Sequence, residues 1–486
     1  MTVQEMIRTW VLDHKEEMLE DLMELMRIDS SLAPAEEGAP FGPGARSCFD
    51  KAAEIIRRCG FAVTNYDYYA LAADFSDREK KLDVLCHLDV VPGQEGWQVT
   101  DPFTPRLTDG RLYGRGAMDD KGPAIASLYA MRAIRELDLP MNQSIRLILG
   151  GDEETGSADM DYYYARESYA PATISPDSSF PVVNIEKGIM AAPFRLDLTG
   201  NEASEKKLPE ACGTPSFFVR DIQAGIASNM IPSYAKLLLA AETEQAIEEA
   251  HRYVADRIPA FEAASGLTLQ VSRTEDDLLL LECKGISSHA STPEAGKNAL
   301  TGIMAFVTGL PLGTSIFNQA LQELHRLFPY ADHYGAGLGV AQEDSLSGKL
   351  TLSFTVLQKK DNCLAGRFDS RIPLCATREN SLDIATANLQ QAGFTIQSSG
   401  MFAPHHIPED SKLVQDLLDS YQSVTGIRKK PLAIGGCTYI HGFPNAVAFG
   451  CMEEETDNHI HAQDEFIDID HLFNCVRILV DFFLRA

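Results

Sequence analysis

Histidines and carboxylates recur along this chain at the ends of short apolar runs. His87 closes the run 81–87 and is followed at once by Asp89, in His87-Leu88-Asp89. Asp119 and Asp120 stand in Gly114-Arg-Gly-Ala-Met-Asp119-Asp120-Lys-Gly122, a glycine-punctuated stretch that enters a helical pattern. Glu153 and Glu154 follow the run 145–149, Asp177 follows 172–175, and His461 lies a dozen residues beyond 446–449. Each is weak evidence alone. A His-x-Asp arises by chance in a chain with 12 histidines and 70 acids, Asp89 suits a turn or a helix cap, and Glu153-Glu154 suits a solvated turn. Together they carry more, because in an open α/β sheet the carboxyl ends of the strands line the ligand crevice. Two histidines and several carboxylates gathered there need positive charge, and a divalent metal supplies it.

The elements that must position these groups follow from periodicity. Residues 3–28 have apolar positions at helical spacing, and 47–59 form a further helix closed by Gly60. Residues 61–68, 81–87, 145–149 and 172–175 read as strands, with a helix over 122–136 opened by Gly122-Pro123. This alternation predicts an α/β domain with a mostly parallel sheet. After about residue 190 the texture changes. Polar stretches at 201–210 and 273–277 separate strands at 278–283 and 350–356, with helices at 243–264 and 296–309. The α/β texture returns near His405, with a helix at 412–424, a strand at 446–449 and a helix at 469–484. The expected organisation is an α/β domain split in sequence, 1–188 and 405–486, with an α+β domain inserted over 189–404.

Composition narrows the function. The 42 Lys+Arg against 70 Asp+Glu leave a formal charge of −28, which argues against nucleic-acid and anionic-membrane partners. The most apolar long window, 301–317, is broken by Gly302, Gly309, Pro311 and Gly313, so no spanning helix is expected. No apolar leader pattern opens the chain, and the ten cysteines are scattered without a Cys-x-x-Cys pair. The expectation is a cytoplasmic protein with reduced, mostly buried thiols.

The motifs His87-Leu-Asp89-Val-Val-Pro92, Gly114 to Gly122 as above, Gly151-Asp-Glu153-Glu154-Thr-Gly156 and Ser175-Pro-Asp177 run in order through the chain. They resemble those of the M20 family of co-catalytic zinc metallopeptidases, and among these the PepV-type dipeptidases most. The resemblance implies one metal on His87, Asp177 and a bridging Asp119, and a second on Asp119, Glu154 and His461. It implies that Asp89 orients the His87 imidazole and that Glu153 is the general base for a water between the metals. Two Zn2+ are implied, with Co2+ or Mn2+ as alternatives. Residues 189–404 match the family's lid, in which His289 would stabilise the developing oxyanion, Arg371 would grip the substrate's terminal carboxylate and Asn229 would help to position the site. Taken alone, His289 reads as a loop residue and Arg371 as a surface or strand-edge charge.

Gly435-Gly436-Cys437-Thr438 resembles the family's glycine-rich loop beside the substrate backbone, which points to Gly436 and Thr438 as substrate-binding. Cys437 stands where the family usually has Gly, and reads as a small tolerated side chain. Ala462 stands where the family has Gln after the ligand. His461 is preferred to His459 because its spacing to Glu465 matches the family. His405, His406 and His441 are expected to be non-ligands. The implied activity is hydrolysis of dipeptides with a free amino terminus. The enlarged lid takes the place of a partner subunit in such relatives, which implies a monomer. A deacylase or desuccinylase acting on N-acyl amino acids shares the metal set and is the alternative. A binding protein without catalysis is opposed by the completeness of the ligand-and-base set.

Overall fold

The computed structural model describes residues 2–141, 144–206, 216–241 and 247–486. The chain forms two compact units, Met1–Glu186 with His405–Ala486, and Lys187–Pro404. The passages fall after Glu186 and before His405, where the sequence reading put them after 188 and before 405.

The first unit is built on a nine-stranded sheet. Its order is Val63–Tyr66, Ala70–Asp74, Ser144–Gly150, Lys80–His87, Ala172–Ser175, Ala446–Ala448, Val183–Glu186 and His405–His406, with Leu432–Ile434 also paired to Val183–Glu186. Lys80–His87 runs parallel to both neighbours, and Ala446–Ala448 runs parallel to Ala172–Ser175. The antiparallel pairs lie toward the two edges. Side chains alternate across the pleat. Leu82, Val84 and Cys86, with Ile145, Leu147 and Leu149, join the large core containing helices Lys121–Glu136 and Ile469–Arg485. Leu85 and Ile148 point the other way, to Met160, Tyr163 and Tyr439. This double burial is why these strands read as continuous apolar runs.

The expected strand 61–68 is shorter, Val63–Tyr66. Asp67 and Tyr68 take left-handed φ of 54° and 62°, turning the chain into Ala70–Asp74. The N-terminal helical pattern is two helices, Val3–Asp13 and Lys15–Met26. Lys121, fully buried, gives its Nζ to the carbonyls of Leu25 and Ile28, at 3.1 and 2.9 Å. A cation there satisfies carbonyls at the end of the second helix.

The second unit carries a ten-stranded sheet whose named strands, among the described residues, pair antiparallel. Its main path is Thr268–Arg273, Leu279–Lys284, Tyr234–Ala241, Phe217–Ala224, Thr351–Lys360, Cys363–Ile372, Gly188–Ala191 and Gly400–Phe402. Helices Ala299–Thr308 and Ile316–Leu327 pack on it over their own core, in which Phe328 and Phe354 stack at 4.4 Å. The helix expected over 243–264 is two, Ile247–Ala255 and Ile258–Ser265, because Pro259 cannot donate to a preceding turn and instead opens the second; residues 242–246 lie outside the described residues. No helix among the described residues is long and apolar enough to cross a membrane.

Candidate metal centre

Two three-residue groups in the first unit share one carboxylate. His87, Asp119 and Asp177 bring donor atoms within 4.8 Å of one another, and Asp119, Glu154 and His461 do the same. His87 ends the strand Lys80–His87, Glu154 follows Ser144–Gly150 and Asp177 follows Ala172–Ser175, so the parallel strands deliver three of the five from one edge. Asp119 Oδ1 lies 2.9 Å from His87 Nε2, and Asp119 Oδ2 lies 2.9 Å from His461 Nε2. The carboxylate therefore faces one imidazole with each oxygen. Glu154 Oε2 lies 3.1 Å from His461 Nε2, and Asp177 Oδ2 lies 3.7 Å from His87 Nε2.

The His87 ring fits a metal. A carbonyl can only accept, so the 3.0 Å contact to the Asp89 carbonyl puts the proton on Nδ1. Nε2 is buried and makes no hydrogen bond, although it faces two carboxylates. A lone pair opposite carboxylate oxygens in a buried site calls for a cation between them. The electrostatics agree. Burial opposes the charged His87 imidazole, yet Asp119, Asp89 and Asp177 hold its pKa well above the usual value. Hydrogen bonding to Asp119 and Glu154 lifts His461 to about 10. Burial pushes Asp119 up, and His461 and His87 overcome it, holding the carboxyl below its usual range. Burial and the neighbouring carboxylates raise Glu154 and Asp177.

Glu153 belongs to neither group. Its carboxyl is raised well above the ordinary range, first by burial and then by Glu154, Asp119 and Asp89, against the pull of His87. Asp89 ties it to the histidine. The Asp89 carboxylate accepts the backbone N–H of Glu153 at 3.2 Å and of Glu154 at 3.0 Å, while Oδ1 lies 3.4 Å from His87 Nδ1. The nearer partner of Nδ1 is the Asp89 backbone carbonyl, so the side chain positions the two glutamates as much as the imidazole.

Sequence reasoning left Glu465 as a spacing marker and passed over Arg115. Glu465 is fully buried and receives the N–H groups of Met118 and Asp119 on Oε1, at 3.0 and 3.2 Å. Its Oε2 receives Gly116 N–H at 3.2 Å and Arg115 Nη1 at 2.7 Å. Arg115 Nη2 donates to the carbonyl of Ala462, beside His461, at 3.1 Å. One carboxylate thus braces the Asp119 loop against the His461 loop. His461 has φ of 59°, in the left-handed region that His tolerates better than most residues. Asp464 fastens the same loop by accepting from Gln98 N–H and Val99 N–H, each at 2.9 Å.

The other histidines lie elsewhere. His459 packs edge-on against Phe466 with ring centroids 5.8 Å apart, His405 Nε2 donates to the Ala446 carbonyl at 2.7 Å, and His406 is exposed. Thr438 gives both its N–H and its hydroxyl to Glu186 Oε1, at 3.1 and 2.9 Å, and Gly436 lies near Ile434. The Tyr439 hydroxyl donates to Asp159, whose Oδ2 also accepts Gly151 N–H and Asp152 N–H at 2.6 and 2.9 Å, bracing the turn before Glu153.

In the second unit, Asn229, His289 and Arg371 gather at the start of the strand Thr351–Lys360. Ala290 N–H donates to the Asn229 carbonyl at 2.8 Å, and the Ser353 hydroxyl donates to the Ala290 carbonyl at 3.1 Å. Ser353 is paired with Asp369, and Thr351 with Arg371. Asn229 and His289 are exposed, with His289 Nδ1 2.6 Å from the Ser291 hydroxyl. Arg371 is no surface charge. It is 6% exposed, and its Nε and Nη2 fork onto Asp369 at 2.8 and 3.0 Å.

Comparison with known proteins gives the family to which this chain belongs. A family model described as Peptidase family M20/M25/M40 matches residues 84–485. Two curated bacterial proteins, both named "Putative dipeptidase", align over almost the whole chain. The Bacillus subtilis protein, YtjP, is 30% identical over 468 residues, covering 95% of each chain. That of Staphylococcus epidermidis is 29% identical over 475 residues, covering 97% of each. The crystal structure of human carnosine dipeptidase 1 has the same fold at a TM-score of 0.57 and 16% identity, covering 100% of this chain and 98% of that one. The shared-carboxylate site therefore sits in a chain that belongs to peptidase family M20/M25/M40.

Proposed function

We propose that this chain is a metal-dependent dipeptidase that hydrolyses dipeptides with a free amino terminus. The observation that carries the reading is the sharing of Asp119 between the His87–Asp177 group and the Glu154–His461 group, with Glu153 beside a ligand and outside both. The relatives' names point the same way. Two divalent cations fit the all-nitrogen-and-oxygen donor set, zinc first, with cobalt or manganese as alternatives. When bound, such a pair acidifies water and polarises a carbonyl.

The chain's own groups do the rest. Glu153 takes the proton of the attacking water and returns it to the leaving amine; burial raises its proton affinity, as suits a base. Asp89 keeps Glu153 and Glu154 apart in role by holding both backbone N–H groups. The first unit is the catalytic domain and Lys187–Pro404 is the lid. His289 serves the oxyanion, Asn229 helps to position it, and Gly436 and Thr438 line the substrate backbone. Arg371, whose fork already grips Asp369, serves the substrate carboxylate. The enzyme acts as a cytoplasmic monomer.

Parallel assays of free dipeptides and N-acyl amino acids test the substrate class. Turnover of dipeptides, lost on chelation and restored by zinc, cobalt or manganese, is the expected result. Exclusive turnover of the acylated compounds would assign the chain to the deacylases.

A further inference from the structure

Apart from the shared-carboxylate groups, one other set of mixed donors converges among the described residues. Glu186, Cys437 and His441 place a carboxylate oxygen, a sulfur and a ring nitrogen within 4.8 Å of one another. None of them belongs to the His87 or His461 groups. We propose that these three residues form a separate cation site that takes a single divalent ion of borderline softness, zinc above others.

The donor set is selective. A thiolate with an imidazole and a carboxylate is chemistry that zinc accepts and that magnesium and calcium do not favour. Its charge is also balanced, since Glu186 and a Cys437 thiolate neutralise one divalent ion, and the thiol proton leaves to solvent on binding.

The site is held as metal sites are. Glu186 is fully buried at the end of Val183–Glu186, with its backbone paired to His405 on one side and Ile434 on the other. Thr438 occupies Glu186 Oε1 with two hydrogen bonds, which directs Oε2 to His441 Nδ1 at 3.0 Å. That is the outer support a ligating carboxylate needs. His441 N–H closes a turn on the Thr438 carbonyl at 3.1 Å, and Tyr439 and Ile440 between them are buried. Cys437 and His441 are therefore carried by a loop anchored on both sides. An ion there would staple the loop bearing Gly436 and Thr438 to the sheet, and three protein donors leave a four-coordinate ion one position for water.

The test uses full-length protein stripped of metal and reconstituted with Co2+. The His87, Asp119, Glu154, Asp177 and His461 set contains no sulfur, so a thiolate-to-cobalt charge-transfer absorption in the near ultraviolet that disappears in Cys437→Ser reports on the Cys437 site. The wild type should show that band. Cys437→Ser should lose it, and Cys437→Ser and His441→Ala should each hold one equivalent of metal per chain less than the wild type. Absence of the band in wild-type protein that retains its other metal, or its persistence in Cys437→Ser, overturns the proposal. Equal metal content in all three proteins does so too. Wild type that shows the band but holds no metal beyond one ion per chain leaves this site standing and overturns the shared-carboxylate reading instead.

Discussion

The candidate residues of the two units differ in how their charges are met. In the first unit, carboxylates face imidazoles and one another, and the buried His87 Nε2 has no well-aligned hydrogen-bond partner. In the second, Arg371 is forked onto Asp369, and His289 is held by Ser291. Buried charge left uncompensated by the protein advertises a cation, because no fold keeps it at no cost. Arg371 and His289 already have protein partners, so their recognition depends on family likeness.

That contrast orders the expected effects. Asp119→Ala removes the ligand common to both groups, so the metal of these two groups and turnover should vanish together, with kcat falling by at least about a thousandfold. Metal analysis beside kinetics checks it, and retention of both metals would break the shared-carboxylate account. Glu465→Gln acts one step removed, by weakening the brace between Arg115 and the N–H groups of Gly116, Met118 and Asp119. Metal affinity should fall about 10–100-fold, the usual cost of removing a partner behind a ligand, as read by competition with a chelator. Arg371→Lys sharpens the other half of the comparison. Loss of the planar fork should raise KM for dipeptides by about tenfold with kcat little changed. A fall in kcat alone would make Arg371 a residue that merely holds Asp369 and its strand.

A separate effect, on stability and outside the catalytic order, concerns Asp120. Asp120 is fully buried, its Oδ1 has no hydrogen bond, and its Oδ2 accepts His87 N–H at 3.0 Å. Burial pushes its carboxyl up to about 8 from 3.8. The fold favours the protonated form, so this contribution to stability is full below the unfolded value and is lost as pH rises toward 8. In metal-free protein, Asp120→Asn should therefore gain on the wild type by up to ~1.4 kcal/mol per unit of pH across that window. Denaturant melts at several pH values measure it, and a gap independent of pH would show that Asp120 is ionised throughout.

Much of the first unit was legible because its strands are buried on both faces and end in the groups that do chemistry. The helix starting near Gly122-Pro123 and the strand ending at His87 follow from local pattern. What sequence could not show is the non-local brace, since Arg115 and Glu465 lie far apart in the chain and meet only through the fold. In the second unit the strand Cys363–Ile372 carries Gly366, Arg367, Asp369 and Arg371, which break any simple alternation. Asp369 and Arg371 are buried and paired with each other, a partnership local pattern does not show, so Arg371 reads from sequence as a surface residue. Cys437 read as a tolerated small side chain because its partners, Glu186 and His441, come from another strand and from beyond the loop's glycines.

The central claim is that Glu153 acts on a proton and holds no metal. Glu153→Gln, assayed on dipeptides with metal content measured on the same sample, tests it most directly. The account requires kcat to fall by about 10²–10⁴-fold, the range for a lost general base, while the metal content stays at the wild-type level. Turnover close to wild type, or metal lost in step with activity, would contradict it.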